Sequence, residues 1–477
     1  MLVHRTIKNR KGQVMLGLSN QASDDLRYNF NERYLFESTV RYDGSSRFPK
    51  SKKFGFFPSV AVGWRLSEEN FFKENESLGF ISNLKLKASW GRLGNQNIGN
   101  YPYQSVYELG QNYPFGDIYS QGAAVTTAVD PTIKWEETET IDGGLEAVLW
   151  NGLLSVNASY FYRNTYDILY KPSGSISAVL GQKISEMNTG KLKNSGWEFE
   201  VGHRNTIGNV SYNVNANLSI INNKLKTLGV GNVEQLNGMV GNGTDLFVGY
   251  PIQMYYGYVS DGVFLDEKDI EGWHDQSKVT PKPRPGDIRY KDISGPDGVP
   301  DGKIDPNYDR VYLGSRIPKF TFGLNLGVEY KGFDLAVLLQ GVAGVKGLLS
   351  GSAGYAFFGE GNIQKWQAEG RFDPKNPIRY PDYPRLEAIS GSSPNTVTSD
   401  FWLLDASYIR LKNVQLGYTF PKKILQAAKI SNLRVYVQAE NPLCWNKYKP
   451  GWDPEINTSG NYYPILATYT FGVNFKF

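Results

Sequence analysis

The sequence predicts an all-β fold, an antiparallel transmembrane β-barrel with long outer loops, and three observations carry that expectation. Alternation of apolar and polar residues with period 2 recurs in about twelve segments of the 477-residue chain. Several of these segments reach the ~9–11 residues that a tilted strand needs to cross a bilayer, whereas strands of soluble sheets average ~5–6. The connections between them alternate, short against long, as in outer-membrane barrels with tight periplasmic turns and long outer loops.

In chain order the segments lie near 33–42, 54–66, 84–93, 135–149, 152–166, 190–204, 209–222, 319–331, 332–346, 402–420, 432–441 and 465–477. From Val210 the apolar set is Val210, Tyr212, Val214, Ala216, Leu218 and Ile220, interleaved with Ser211, Asn213, Asn215, Asn217 and Ser219. From Phe320 the same alternation places Leu324 on the apolar face and Asn325 on the polar one. The chain closes on Tyr469, Phe471, Val473, Phe475 and Phe477 against Thr470, Gly472, Asn474 and Lys476. Tight turns fall at Trp150-Asn151-Gly152, Asn205-Thr206-Ile207-Gly208 and Lys331-Gly332. The connections 67–83 and 421–431 are short and partly helical, with Ser67 as N-cap and Glu68 and Glu69 in the first turn. The connections 43–53, 94–134, 167–189, 223–318, 347–401 and 442–464 are longer or rich in turn residues. Tyr34, Tyr42, Trp64, Trp90, Trp150, Tyr162, Tyr330 and Tyr418 stand near strand ends, where interfacial aromatic girdles form.

Composition removes several functions. Lys and Arg number 51 against 47 Asp and Glu, a formal net charge of +4, which gives nucleic acid no electrostatic footing. One cysteine, Cys444, excludes a disulfide framework and any Cys-rich metal site. His4, His203 and His274 are far apart in sequence. The longest apolar run, Leu335 to Leu339, is far below the ~20 residues of a membrane-spanning helix. There is no P-loop, no G-x-S-x-G and no H-E-x-x-H. The start of the chain has no signal-peptide pattern.

A family resemblance rests on a series of short stretches in order. Arg41-Tyr42-Asp43-Gly44-Ser45-Ser46-Arg47-Phe48 leads, followed by Phe57-Pro58-Ser59, Gly63-Trp64-Arg65, Leu84 to Gly91 and Gly94-Asn95-Gln96. Gly286-Asp287-Ile288, Leu313-Gly314, Pro318-Lys319-Phe320, Ser407 to Asn413 and the terminal Phe477 complete it. These residues resemble the SusC/RagA family of TonB-dependent outer-membrane transporters. The resemblance implies a 22-stranded barrel with an N-terminal plug and a TonB-contact segment, paired with a SusD-like surface lipoprotein. The implied cargo is an oligosaccharide or a peptide. Neither plug nor TonB-contact segment is legible here, so residues 27–477 are expected to be the C-terminal barrel portion, with residues 1–26 unassigned. An in-frame plug encoded upstream of Met1 is part of that expectation; a self-contained twelve-strand porin is the alternative permitted by strand parity.

Two sets of residues are candidates for chemistry. Asp292, Asp297, Asp301, Asp305 and Asp309 surround an Asp/Gly loop in which Asp301-Gly302-Lys303-Ile304-Asp305 matches the centre of a calcium loop. Extra residues between Asp292 and Asp301 break the even ligand spacing, and the competing reading is a turn cluster of solvated carboxylates. Tyr101, Tyr103, Tyr107, Tyr113, Tyr355, Phe357, Phe358 and Trp366 are loop aromatics suited to stacking on cargo, with loop packing as the competing reading. The sequons at Asn157 and Asn217 read as polar positions facing the lumen. The function expected is import across the outer membrane of a Gram-negative bacterium, without catalysis and without a cofactor beyond that possible calcium. A secreted glycan-binding protein or glycosidase is the rival; a glycosidase needs a carboxylate pair ~5–5.5 or ~6.5–9.5 Å apart, and no pair recommends itself.

Overall fold

The structure is a computed structural model that describes residues 2–8, 19–172, 178–389, 393–425, 430–456 and 463–476. Its main element is an antiparallel sheet of fourteen strands whose order follows the chain without a crossover. The strands are β1 (Leu2–Lys8), β2 (Ser19–Phe30), β3 (Tyr34–Ser45), β4 (Phe54–Arg65), β5 (Ile81–Asn95), β6 (Glu136–Leu149) and β7 (Leu154–Tyr170). They continue as β8 (Met187–Ile207), β9 (Val210–Thr227), β10 (Phe320–Tyr330), β11 (Phe333–Ala343), β12 (Tyr408–Thr419), β13 (Asn432–Asn446) and β14 (Thr468–Lys476). All twelve expected segments are strands. The sequence offers no assignment for residues 1–26, yet β1 and most of β2 lie there, and β2 pairs with β3 from Ser19 to Phe30. Ser23-Asp24-Asp25 interrupts the apolar alternation that would have marked β2. The long strand pairs are held by their ladders.

The chain divides into two compact units. The first comprises Met1–Val201, Ile221–Glu234 and Val240–Tyr250, and the second Gly202–Ile220, Gln235–Met239 and Pro251–Phe477.

In the first unit the registers sort side chains cleanly. Tyr28, Phe36, Val62, Ala88, Gly143 and Tyr160 form one cross-strand row, while Arg27, Glu37, Ala61, Ser89 and Asp142 form the adjacent row on the opposite face. Trp150 and Asn151 take φ of 49° and 55°, and the backbone N–H of Trp150 donates to the Phe80 carbonyl at 2.7 Å. Ser67 is not a helix cap. Its hydroxyl meets Asn83 Oδ1 at 3.2 Å inside a 3-10 turn, the helical turn Asn70–Lys73 starts after Glu69, and its cap carries no side-chain bond. Ser67 sits inside that turn, and Glu69, with extended backbone, takes the cap position. The connection after β12 holds one helical turn, Lys422–Leu425. Near the long-connection end, Phe48, Phe57, Ile98, Ile133 and Trp135 form a small core, with the Phe48 and Trp135 rings 5.2 Å apart.

In the second unit β10 and β11 turn through Lys331-Gly332, with φ of 46° and 88°, as a two-residue hairpin with right-handed strand twist requires. A row Val328, Leu335, Leu416, Val437 and Phe471 runs on one face, and Asn213, Gly327, Ala336, Gln415, Gln438 and Thr470 run on the other. A bulge at Lys412 interrupts β12 and keeps Arg410 and Asn413 on the polar side.

The two longest connections are not loose. Tyr258, Val263, Ile288, Tyr290, Ile304, Tyr355, Ala356, Phe372, Tyr383, Ile389 and Trp402 form one buried core. The stretch near 258–304 thereby packs on the stretch near 355–402. Ser260 N donates to Asp400 Oδ1 at 2.7 Å and Val263 N to the Arg379 carbonyl at 2.9 Å. Gly286 explains its motif: φ is 87°, and a Cβ there would lie 2.4 Å from the Phe372 ring. Trp402 is 3% exposed with its indole N–H bonded to the Asn395 carbonyl at 2.7 Å. Trp402→Ala is expected to destabilise this loop unit by ~3–5 kcal/mol. Limited proteolysis should then cut within 258–402, while the strands keep their resistance.

Candidate functional site

The sheet's two faces have different chemistry. On the apolar face of the first unit, one end is marked by Glu69, which accepts from Tyr34 Oη at 2.7 Å and Trp64 Nε1 at 3.0 Å, with Arg33 at 3.4 Å. The other end is marked by Trp90, whose indole N–H donates to Glu139 at 2.8 Å, beside Arg92. Between them the face carries Phe36, Val62, Leu86, Ala88 and Leu145 without a charge. From Leu84 to Arg92 a strand rising ~3.4 Å per residue and tilted ~35–45° gains roughly 20 Å of height. That is close to the apolar band of an outer-membrane barrel, ~25 Å.

Girdle aromatics stand where expected at the short-turn end. Tyr34, Trp64 and Trp150 of the first unit are 47%, 38% and 52% exposed. In the second unit Tyr330 and Phe333 are exposed, and the Tyr418 ring packs tilted against Phe333 with centroids 4.6 Å apart.

The polar face is a mixed-charge wall. Glu146 takes Lys85 at 3.2 Å and Lys87 at 3.0 Å, and Arg27 pairs with Glu37 at 3.0 Å. In the second unit Asp334 accepts from Arg434 Nε at 2.9 Å, and Arg434 reaches Gln415 at 2.9 Å. Asn157 donates to Glu200 at 3.2 Å, and Asn217 pairs in register with Gly323 beside Asn213 and Asn215, so both sequons belong to this face. At the long-connection end Arg410, 3% exposed, binds Asp453 at 2.6–2.7 Å and Glu455 at 2.7 Å. Arg410 thereby fastens the last long connection to β12, which accounts for the Ser407–Asn413 motif.

The loop aromatics divide. Tyr355 is 9% exposed, its hydroxyl donates to the Thr396 carbonyl at 3.2 Å, and its ring packs on Trp402 at 5.1 Å. Phe358 and Trp366 pack against the same core, and Trp366 Nε1 donates to Gln364 at 2.9 Å. Tyr103 packs on the Phe48–Trp135 core. For these four the structure shows the packing that was the competing reading, with Tyr355 buried and Phe358, Trp366 and Tyr103 partly buried. Tyr101, Tyr107, Tyr113 and Phe357 remain exposed. Tyr101 lines a cavity of about 460 Å³ with Asn100, Gln104, Lys171 and Glu186, polar groups able to bind a small hydrophilic ligand.

The acidic loop is tied by its own backbone. Asp309 accepts from Ile293 N, Ser294 N and Asp305 N at 2.6–3.0 Å. Asp292 accepts from Gly302 N at 2.6 Å and Asp301 from Lys303 N at 3.0 Å, and Asp305 pairs with Lys278. Asp297 lies in the exposed turn before Gly298. Among the described residues no group of three or more His, Cys, Asp or Glu side chains is placed to hold a metal. One feature favours a cation: the Asp292 side chain is 1% exposed and its Oδ1 has no hydrogen-bond partner among the described residues. Burial, the largest influence, lifts the Asp309 carboxyl above the usual range against its three N–H bonds, and Asp292 adds to the lift.

A second ionic cluster, which the sequence did not single out, holds the loop core. Arg289 stacks over Trp273 at 3.6 Å and binds Asp269 at 3.0 Å as well as Asp261, while Arg379 binds Asp269 and the Val263 carbonyl. Asp287, buried, accepts from Arg385, from Asn395 at 2.7 Å and from Arg284 N at 2.8 Å. Burial pushes the Asp269 carboxyl up, but the bonds from Arg379 and Leu265 N, with Arg289 nearby, outweigh it and hold the group below the usual range. A depressed carboxylate contributes stability above the ordinary carboxylate range and loses it as pH falls through its own lower value. The loop unit should therefore lose protease resistance on acidification below about pH 4. Arg379→Met should weaken it at neutral pH and flatten that acid dependence.

Comparisons with known proteins meet this geometry. A family model described as TonB dependent receptor-like, beta-barrel matches residues 19–441. The chain is 31% identical over 475 residues to TonB-dependent receptor P26 of Formosa agariphila, covering 95% of this chain and 45% of that protein. It is 29% identical over 463 residues to TonB-dependent receptor SusC of Bacteroides thetaiotaomicron, covering 95% and 43%. It thus spans less than half the length of these curated relatives. Among solved structures, the RagAB peptide importer in its open-open state aligns with a TM-score of 0.75 at 24% identity over 97% of this chain and 47% of that one. That likeness concerns the fold.

Proposed function

This chain belongs to the TonB-dependent receptor β-barrel family, and we propose that it forms the C-terminal wall and outer loops of a SusC-type nutrient importer. Members of the family are outer-membrane receptors and transporters of Gram-negative bacteria. The observation that carries the reading is the apolar band between the Glu69 and Glu139 borders, backed on the other face by the Lys85, Lys87 and Glu146 wall. A bilayer demands the first and a hydrated passage the second.

In this reading the short-turn end faces the periplasm and the interlocked loops face outward. Cargo is an oligosaccharide or a peptide, met by exposed loop groups such as those around Tyr101 and by the mixed-charge wall. A SusD-like surface lipoprotein pairs with the outer side. Energy arrives through TonB acting on parts of the transporter outside these residues. The chain's own role is to bind, guide and enclose, with no bond-making step. The family match favours this reading over the rival of a secreted glycan-binding protein or glycosidase.

The face assignment is testable in the full-length protein. Leu324 shares its row with Ala216 and Leu339, and Asn325 is paired with Asn215 on the other face. Leu324→Arg should cost roughly 2–4 kcal/mol and impair outer-membrane assembly, and Asn325→Arg should be tolerated. A Cys at 324, but not at 325, should react with a lipid-soluble probe. Protection of position 324 would mean that it packs against protein, and the reading would fall.

Calcium in the acidic loop is a further part of the proposal, supported by the orphaned Asp292 oxygen beside Asp309. Asp292 and Asp309 would be the side-chain ligands, and the remaining oxygens would come from backbone carbonyls and water. Calcium should raise the melting temperature of the full-length transporter, and Asp292→Asn should abolish that rise. Identical melting with calcium and with chelator would dispose of the ion.

A further inference from the structure

Four lysines gather on β8 and β9 just past the end of the apolar band. On β8 the apolar-face series contains Trp197, Phe199 and Val201, all exposed, with Tyr160 of β7 packed on Trp197 at 5.0 Å. Toward the long-connection end the same series reaches Lys193 and Lys191, because side chains two residues apart share a face. Lys193 Nζ lies 4.5 Å from the centre of the Tyr162 ring. Tyr162 stands in one cross-strand row with Ile141 and Trp90, so Lys193 is level with the Trp90–Glu139 border.

On β9 the matching residues are Lys224 and Lys226. Asn223 donates to Asn194 Oδ1 at 2.6 Å on the polar face, and the Thr206–Ser211 contact beside the turn has the same offset. An antiparallel pair with that offset sets Lys224 opposite Lys193 and Lys226 opposite Lys191. The four are then roughly 5 Å apart across the strands and ~7 Å apart along them. Like charges directly opposite on neighbouring strands are destabilising. Lys191, Lys224 and Lys226 are exposed and Lys193 is half-buried. Among the described residues none of the four pairs with a carboxylate, whereas Lys85, Lys87 and Lys134 of the same unit do. Strand β9 has no acidic residue, and the acids of β8, Glu198 and Glu200, alternate to the other face, where Glu200 takes Asn157. The repulsion has no remedy within the sheet, and an anion from outside supplies one.

We infer that this patch binds the phosphate groups of a phosphorylated glycolipid in the outer leaflet, an inference that rests on the membrane placement proposed above. Depth selects the ligand. The lysines stand on the lipid side at the level where acyl chains end and headgroups begin. A phosphate there meets ammonium groups, which bind it as compact point charges, while its own acyl chains lie along Trp197, Phe199 and Tyr160. A soluble anion would gain the charge contacts alone. Cargo in the lumen meets the opposite face of these strands and does not reach the lysines.

The experiment uses the full-length transporter extracted from the outer membrane in mild detergent, with bound lipid counted per folded protein by mass spectrometry. A Lys191→Gln, Lys193→Gln, Lys224→Gln, Lys226→Gln variant should carry at least about tenfold less phosphorylated glycolipid than the unmutated protein. The same four positions changed to Arg keep the charge and should keep the lipid. Millimolar inorganic phosphate should leave the lipid in place; its displacement would assign the patch to a soluble anion and overturn the inference. Equal lipid on the glutamine variant and the unmutated protein would also overturn it, while leaving the membrane placement standing. Failure of the unmutated protein to reach the outer membrane would remove that placement, and the inference with it.

Discussion

The structure depends on one constraint. Backbone N–H and C=O groups that lie in hydrocarbon have no water to bind, so every one must find a partner on a neighbouring strand. A continuous antiparallel ladder meets that demand, and because side chains alternate across it, each strand must carry two chemistries at once. The rows from Tyr28 to Tyr160 and from Arg27 to Asp142 are that requirement written in side chains. Small residues on the polar face, Ala61, Gly63 and Gly144 among them, leave room for Lys85 and Lys87 to reach Glu146. The aromatic and acidic borders at Tyr34, Trp64 and Glu69 then fix the depth of the band at its short-turn end.

Beyond the band the constraint relaxes, and the chain uses the freedom to build a second kind of structure. The long connections of the second unit would lose much conformational entropy if each were ordered alone. They order together instead, by burying Tyr290, Tyr383, Trp402 and their neighbours in one core. Charged groups taken into that core are paired at once: Asp287 with Arg385 and Asn395, Asp269 with Arg289 and Arg379. A buried pair of this kind is weak evidence for stability, since its desolvation offsets much of the attraction, but it forces one arrangement of the loops. Arg410 and its two carboxylates extend the same logic to the last long connection.

The two units use aromatic residues in opposite ways. In the loop core Tyr355 and Trp366 are covered and hydrogen-bonded, so they set shape. On the hairpin that pairs Tyr113–Phe115 with Ile118–Ser120, and just before it, Tyr113, Tyr119 and Tyr107 are uncovered. Residue type is the same in both places, and burial alone separates them.

That division marks what could be read from the chain by itself. The positions of twelve strands, their two faces and the tight turns at Trp150-Asn151-Gly152 and Lys331-Gly332 were legible, because period 2 and left-handed turn residues are local signals. The family motifs were legible too, though the reasons for them were not: Gly286 answers to Phe372, and Arg410 to Asp453 and Glu455, each far away in sequence. Strand β2 escaped because Ser23-Asp24-Asp25 interrupts its alternation and its place is set by the ladder to β3. Ser67 had the composition of a helix cap, but it sits inside a 3-10 turn and Glu69 takes the cap position. Which loop aromatics are buried, which carboxylate oxygen is orphaned and which hairpin stands uncovered are properties of contacts between distant segments. Only the tertiary structure decides them, since a tyrosine suited to packing is equally suited to binding until its surroundings are known.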